Sequence, residues 1–260
     1  MKVVILAGGY GTRISEESHL KPKPMIEIGE TPILVHIMKI YAAQGFTDFI
    51  ICAGYKQQII KEYFAHYYLY NNDVTFHIGP HQTVEDIYPT SKPEWTVTVV
   101  DTGLDTQTGG RIKRIQKYTN GERFLLTYGD AVGDININAL LATHTKRKSI
   151  VTMSVYNFGQ NKGVVDIDAN GNVKAFREKS DLDGDLINIG FMVVEPKIFD
   201  YIEGDETIFE KGPLKVLASE GKIGAYIHTG FWQCMDTLNE KNKLEKLWQS
   251  GKAPWKIWRD

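Results

Sequence analysis

Along the chain, unbroken runs of aliphatic and β-branched residues alternate with stretches in which apolar positions recur every three to four residues. The first run, Lys2 to Ala7, shows no polar alternation and stops at Gly8 and Gly9, which predicts a fully buried strand followed by a turn. Thr31 and Pro32 read as the N-cap and first residue of a helix; its apolar face is Ile33, Leu34, Ile37, Met38 and Tyr41, and Gly45 closes it. Further strands are expected at Phe49 to Cys52, Val74 to His77, Thr96 to Val100 and Phe124 to Thr127. Helices are expected at Gln58 to Tyr67, Gly110 to Tyr118 and Ile137 to Thr145. Residues 78–94, with three prolines and little periodicity, read as a long loop or small insertion.

Alternation of this kind specifies an α/β fold, with a Rossmann-like, mostly parallel mixed sheet and helices on both faces. Asn170 and Gly171, between the runs Val164 to Ile167 and Val173 to Arg177, add an antiparallel hairpin. Ile187 to Val194 is another buried strand. From Pro213 follow a helix, a short strand at Ile223 to Ile227 and a charged helix from Leu238 to Ser250. The α/β core with the hairpin is placed at residues 1–200 and a C-terminal extension, expected to complete the active site and make subunit contacts, at 201–260; its Trp248, Trp255 and Trp258 are expected to cap the core, with a subunit contact as the less favoured alternative.

Composition narrows the function classes. The 260 residues carry 30 basic and 32 acidic side chains, 42% hydrophobic and 24% charged residues, which fits a globular chain and not a disordered or fibrous one. Without a basic block, nucleic acid and membrane surfaces are poor partners, and no apolar stretch approaches the roughly 20 residues of a membrane helix. Cys52 and Cys234 form no C-x-x-C pair, so a reducing cytoplasm is expected. His77 and His81 are separated by Gly79 and Pro80, which break the helix a zinc pair needs, and no H-E-x-x-H or G-x-S-x-G motif is present. The tyrosines of 63–68 recur at helical spacing and read as a buried face.

The chemistry concentrates near the N-terminus. Residues 6–13 read L-A-G-G-Y-G-T-R, and Lys23 follows within K-P-K-P. Glycines just past a buried strand let backbone amides approach an anion, and Arg13 and Lys23 supply positive charge. A dinucleotide fingerprint starting at Gly9 needs glycine where Ile14 stands, and a P-loop starting at Gly8 needs glycine where Arg13 stands, so both fail. Phosphates remain; NAD and the usual ATPase apparatus do not.

This stretch, with K-P-K-P-M at 21–25, resembles the signature of the sugar-1-phosphate nucleotidyltransferases, and the longer string from Gly11 to Gly29 resembles the glucose-1-phosphate cytidylyltransferases among them. Asp101-Thr-Gly, Thr108-Gly-Gly-Arg, Thr127-Tyr-Gly-Asp, Gly230-Phe-Trp-Gln-Cys-Met-Asp and the Gly-Lys-Ala-Pro-Trp ending are similar as well, so the resemblance spans the chain. It implies transfer of the cytidylyl group of CTP to a sugar 1-phosphate, glucose 1-phosphate first, giving a CDP-sugar for deoxysugar or surface polysaccharide synthesis. Catalysis would rest on Lys23, Arg13 and Asp130. The nucleotide would lie on Leu6, Ala7, Gly8, Gly9, Gly11, Thr12, Arg13, Lys23, Thr108, Arg111 and Gly129. Asp130 and Asp236 would hold Mg²⁺, a hard cation suited to carboxylate and phosphate oxygens. Glu178, Lys179 and Asn188 would meet the sugar phosphate. The chain departs from the family pattern at Ser180, at Ile189 and within 157–163, all on the sugar side. A different sugar phosphate, or a non-catalytic nucleotide sensor on the same fold, stand as rivals. The resemblance also implies a homo-oligomer.

Overall fold

The computed structural model describes residues 1–14, 19–78, 84–88, 94–157, 164–167, 173–177 and 186–259; the side chains of Arg13 and of residues 84–88, 164–167 and 173–177 lie outside that description. Among the described residues, seven strands form the central sheet: β1 (Lys2–Ala7), β2 (Asp48–Ala53), β3 (Thr96–Asp101), β4 (Phe124–Tyr128), β5 (Val151–Asn157), β6 (Leu186–Val194) and β7 (Ile223–His228). Their order is β7-β5-β6-β4-β1-β2-β3. β1 pairs in parallel with β2 and β4, β2 with β3, and β5 with β7, while β6 runs antiparallel between β4 and β5. The helices are α1 (Ile33–Ala42), α2 (Gln57–Ala65), α3 (Tyr67–Asn71), α4 (Thr108–Arg114), α5 (Ile137–Arg147), α6 (Pro213–Ser219) and α7 (Leu238–Gln249).

Successive side chains of a strand leave opposite faces. Val3, Ile5 and Ala7 therefore enter one core, with α1, α5 and α7, and Val4 and Leu6 enter a second, with α4 and α6. Helices cover both faces, as the alternation predicts. β5 escapes a hydrophobic reading because two of its buried residues are polar. Thr152 meets His144, and the Ser154 hydroxyl donates to the Phe191 carbonyl.

Local differences have local causes. The N-cap of α1 is Pro32, with no side-chain cap, and not Thr31; the two residues pair with Glu27 and Ile28 in a tight hairpin whose turn residues, Gly29 and Glu30, both have positive φ. The helix expected at 58–67 ends at Ala65, and His66 resets the chain direction before α3. The tyrosine face is only partly buried: Tyr63 and Phe64 pack against the first core, Tyr68 is exposed, and the rings pack on one another and on Trp95. The stretch 78–94 contains a strand, Val84–Tyr88, paired with Asp73–His77. The hairpin Val164–Ile167 with Val173–Arg177 is present as a separate two-stranded sheet, and its Asn170-Gly171 turn lies outside the described residues. Trp255 is fully buried beside His36, with Trp248 and Trp258 against the same imidazole, so the tail packs on the core.

Candidate active site

At the C-terminal edge of β1 and β4, where open α/β sheets bind ligands, lies a cavity of about 560 Å³. Leu6, Ala7, Gly8, Gly9, Gly11 and Thr12 line one wall; Lys23, Thr108, Arg111, Gly129, Asp130 and Asp236 line the rest. Every residue of the expected nucleotide and metal groups is thus brought together except Arg13, whose backbone lies in the turn Thr12–Ile14 and whose side chain is outside the described residues. On the sugar side, Asn188 is described and Glu178 and Lys179 are not.

The glycines have distinct roles. A Cβ on Gly8 would lie 2.1 Å from the Arg111 Nη1, and one on Gly54 2.5 Å from the same atom, so Gly8 makes room for a guanidinium, whereas Gly9 opens onto free space. Arg111 is 5% exposed and donates to the Thr102 hydroxyl at 2.9 Å and to the carbonyls of Gly103 and Leu104 at 2.7 and 3.1 Å. Burial pulls its pKa down from the usual value, yet a guanidinium stays charged. Across the mouth of the cavity, the Tyr10 hydroxyl donates to Asp105 at 2.7 Å, joining the glycine loop to the loop before α4. That hydrogen bond raises the Tyr10 pKa.

Lys23 opens a short 3₁₀ turn after Pro22 and is anchored by the buried Pro24 and Met25. Its ammonium lies 2.6 Å from Asp130 and 2.5 Å from Asp236, residues 107 and 213 positions away. Burial works to lower the Lys23 pKa, and the carboxylates, Asp130 foremost, reverse it, so the group is held above its ordinary value. What brings the acids together is backbone pairing that no periodicity announces. Ala131–Gly133, just past Asp130, pairs with Trp232–Cys234, just before Asp236, and the Met235 amide donates to the Asp130 carbonyl at 2.9 Å. Asp236 is then fixed by α7, where Thr237 and Glu240 form a capping box and Glu240 also accepts from the Asp236 amide at 2.7 Å. The spacing Thr237-x-x-Glu240 is a sequence signal for this helix start.

The donor set suits a hard divalent cation. Two carboxylates from distant segments converge, and the Lys23 ammonium stands between them as a surrogate positive charge. Among the described residues no cluster of three or more histidine, cysteine or acidic side chains offers an all-protein cage. Two carboxylates leave coordination positions for phosphate oxygens and water, as a substrate-bound Mg²⁺ requires.

The profile of the family described as Nucleotidyl transferase matches residues 2–236. This chain belongs to that family. It is 49% identical over 259 residues to the glucose-1-phosphate cytidylyltransferase of Salmonella typhi, covering 99% of this chain and 100% of the relative. It is 41% identical over 260 residues to a Bacillus subtilis protein named a probable glucose-1-phosphate cytidylyltransferase, covering 99% and 100%. Among solved structures, HddC from Yersinia pseudotuberculosis shares the fold at a TM-score of 0.66 and 22% identity, over 95% of this chain and 99% of that one. The chain is an enzyme of the nucleotidyltransferase class, and among its described residues no helix is long and apolar enough to cross a membrane.

Proposed function

We propose that the enzyme transfers the cytidylyl group of CTP to α-D-glucose 1-phosphate, forming CDP-glucose and pyrophosphate. A phosphate oxygen of the sugar phosphate bonds to the α-phosphorus of CTP, and the bond from that phosphorus to the β-phosphate oxygen breaks. The observation that carries this reading is the convergence of Lys23, Asp130 and Asp236 in one cavity with the glycine loop.

Phosphoryl transfer of this kind asks for positioning and charge neutralisation, with no covalent intermediate on the protein. The glycine loop offers backbone amides to the triphosphate, and Arg13 supports its outer phosphates. Lys23 meets the α-phosphate, where negative charge develops. Asp130 and Asp236 hold Mg²⁺, which when bound neutralises phosphate charge and orients the leaving pyrophosphate. Arg111 braces the loops over the nucleotide, and Glu178, Lys179 and Asn188 receive the sugar phosphate. Self-association into a homo-oligomer belongs to the same proposal through the family resemblance, and light scattering that returned the mass of a monomer would remove that part.

The test is product analysis with CTP, UTP and dTTP, each offered a panel of sugar 1-phosphates with and without Mg²⁺. CDP-glucose and pyrophosphate are expected only with the ion. Far greater turnover of another sugar or another nucleotide would overturn the substrate assignment, and no product from any pair would overturn catalysis.

A further inference from the structure

One acidic residue beside the cavity has no part in the reading above. Glu210 lies in the turn before α6, in a segment anchored by the fully buried Phe209. Its two carboxylate oxygens are met by hydroxyls from residues that line the cavity: the Thr108 hydroxyl donates to one at 2.7 Å and the Tyr128 hydroxyl to the other at 2.6 Å. Thr108 begins α4, and Tyr128 ends β4, so one side chain ties together two walls that sequence separates by 20 positions.

The direction of these bonds follows from chemistry. An ionised carboxylate only accepts, so each hydroxyl must spend its single proton on Glu210. Thr108 also accepts from the Phe209 amide at 2.9 Å, and is therefore occupied on both sides. Tyr128 is left with an oxygen that can only accept. Burial first, and then the charge and hydrogen bond of Glu210, raise its pKa well above the ordinary phenol value, so it remains a neutral phenol. The Asn188 Oδ1 accepts from the Gly190 amide at 3.0 Å, and Gly190 packs on the Tyr128 ring, so Asn188 stands beside Tyr128 with only its N–H donors left to offer that oxygen.

The backbone shows how closely this end is built. Val155 pairs with Asn188 but Met153 pairs with Met192, so β6 carries extra residues at 189–191. Gly190 and Phe191 both have positive φ, and a Cβ on Gly190 would come within 2.9 Å of the Tyr128 ring. The kink seats Asn188 against Tyr128, and such strain persists where surrounding structure over-determines it.

We infer that Glu210 is a positioning residue for the sugar phosphate: by accepting from Tyr128 it keeps the Tyr128 oxygen an acceptor toward the Asn188 amide, and so holds the Asn188 side chain in place for the acceptor substrate. The inference rests on the proposed reaction and adds to it a residue that touches neither substrate. It also explains why no linear motif exposes Glu210, whose partners lie 102 and 82 positions away.

A double-mutant cycle tests it, because residues that act through one another are non-additive. Glu210→Ala, Tyr128→Phe and the double variant are assayed with CTP and glucose 1-phosphate, with CTP affinity measured separately by calorimetry and folding checked by thermal melting. Each single change is expected to lower kcat/KM for the sugar phosphate about tenfold, chiefly through KM. The double variant should be no more than about twofold worse than either, with CTP affinity changed less than about threefold. Glu210→Gln, whose amide oxygen still accepts from Tyr128, should recover most of the loss, and Glu210→Leu replaces Glu210→Ala in the cycle if that variant does not fold. Losses that multiply, or an equal loss of CTP affinity, would overturn the role of Glu210. A wild-type enzyme inactive with every sugar 1-phosphate would instead refute the reaction itself.

Discussion

Lys23 is the residue on which the site turns. Its ammonium is shared between two carboxylates in the free protein, and in the proposed reaction it serves the α-phosphate. Lys23→Ala is expected to lower kcat by at least about 10²-fold, about 2.7 kcal/mol of transition-state stabilisation, and a near-normal kcat would reject the assignment. The same change removes the surrogate charge from Asp130 and Asp236. Binding of Mn²⁺ to the nucleotide-free protein, followed by electron paramagnetic resonance, should therefore tighten rather than weaken. Gly8 offers a packing counterpart: Gly8→Ala drives a methyl group into the Arg111 guanidinium and should lower the melting temperature and nucleotide affinity together. Residue chemistry at Lys23 and the glycine turn was readable from local spacing. The reason for Gly8 was not, because Arg111 is 103 positions away and only the fold brings it there.

Among the elements, those with strong periodicity and their own punctuation were readable: β1 ending in glycines, α1, and the Val164–Ile167 and Val173–Arg177 hairpin pair. Elements that borrow their stability from tertiary pairing were not. Ala131–Gly133 and Trp232–Cys234 are three residues each, too short for any period to emerge, yet they set the spacing of the acids. β5 hides its burial behind Thr152 and Ser154, and the break at His66 leaves Tyr68 exposed while Tyr63 and Phe64 stay on the core. α7 is the element whose weakening should be felt at the site. Thr237→Ala removes a capping oxygen, a change worth about 1 kcal/mol and roughly 2–4 °C in a protein of this size. Because Glu240 of the same box holds the Asp236 amide, divalent-ion affinity should fall with it. Unchanged ion affinity in a variant with a lowered melting temperature would separate the helix from the site.

At the scale of the molecule, the seven-stranded sheet lies between two cores, with the aromatic residues Trp248, Trp255 and Trp258 closing the first core around His36. The Trp255 indole donates to His36 Nδ1 at 3.3 Å, so the other ring nitrogen carries the proton toward the Ile28 carbonyl. Burial lowers the His36 pKa to about 4 from its ordinary 6.5. Between those values the unfolded chain binds a proton that the folded chain refuses. Stability from this group is complete above about pH 6.5 and declines as pH falls towards 4, by up to about 3 kcal/mol. Burial shifts His144 in the same direction. Chemical denaturation from pH 7 to 4.5 should show a falling midpoint, with a shallower slope in His36→Leu; an identical slope in that variant would assign the acid sensitivity elsewhere.

The contact between Lys23 and Asp236 spans 213 positions. During synthesis the glycine loop leaves the ribosome well before the acid that finishes the site, with the helix that secures that acid later still. A chain made only as far as Cys234 therefore carries an incomplete phosphate cradle, and competence waits on the segment that holds Asp236 and α7.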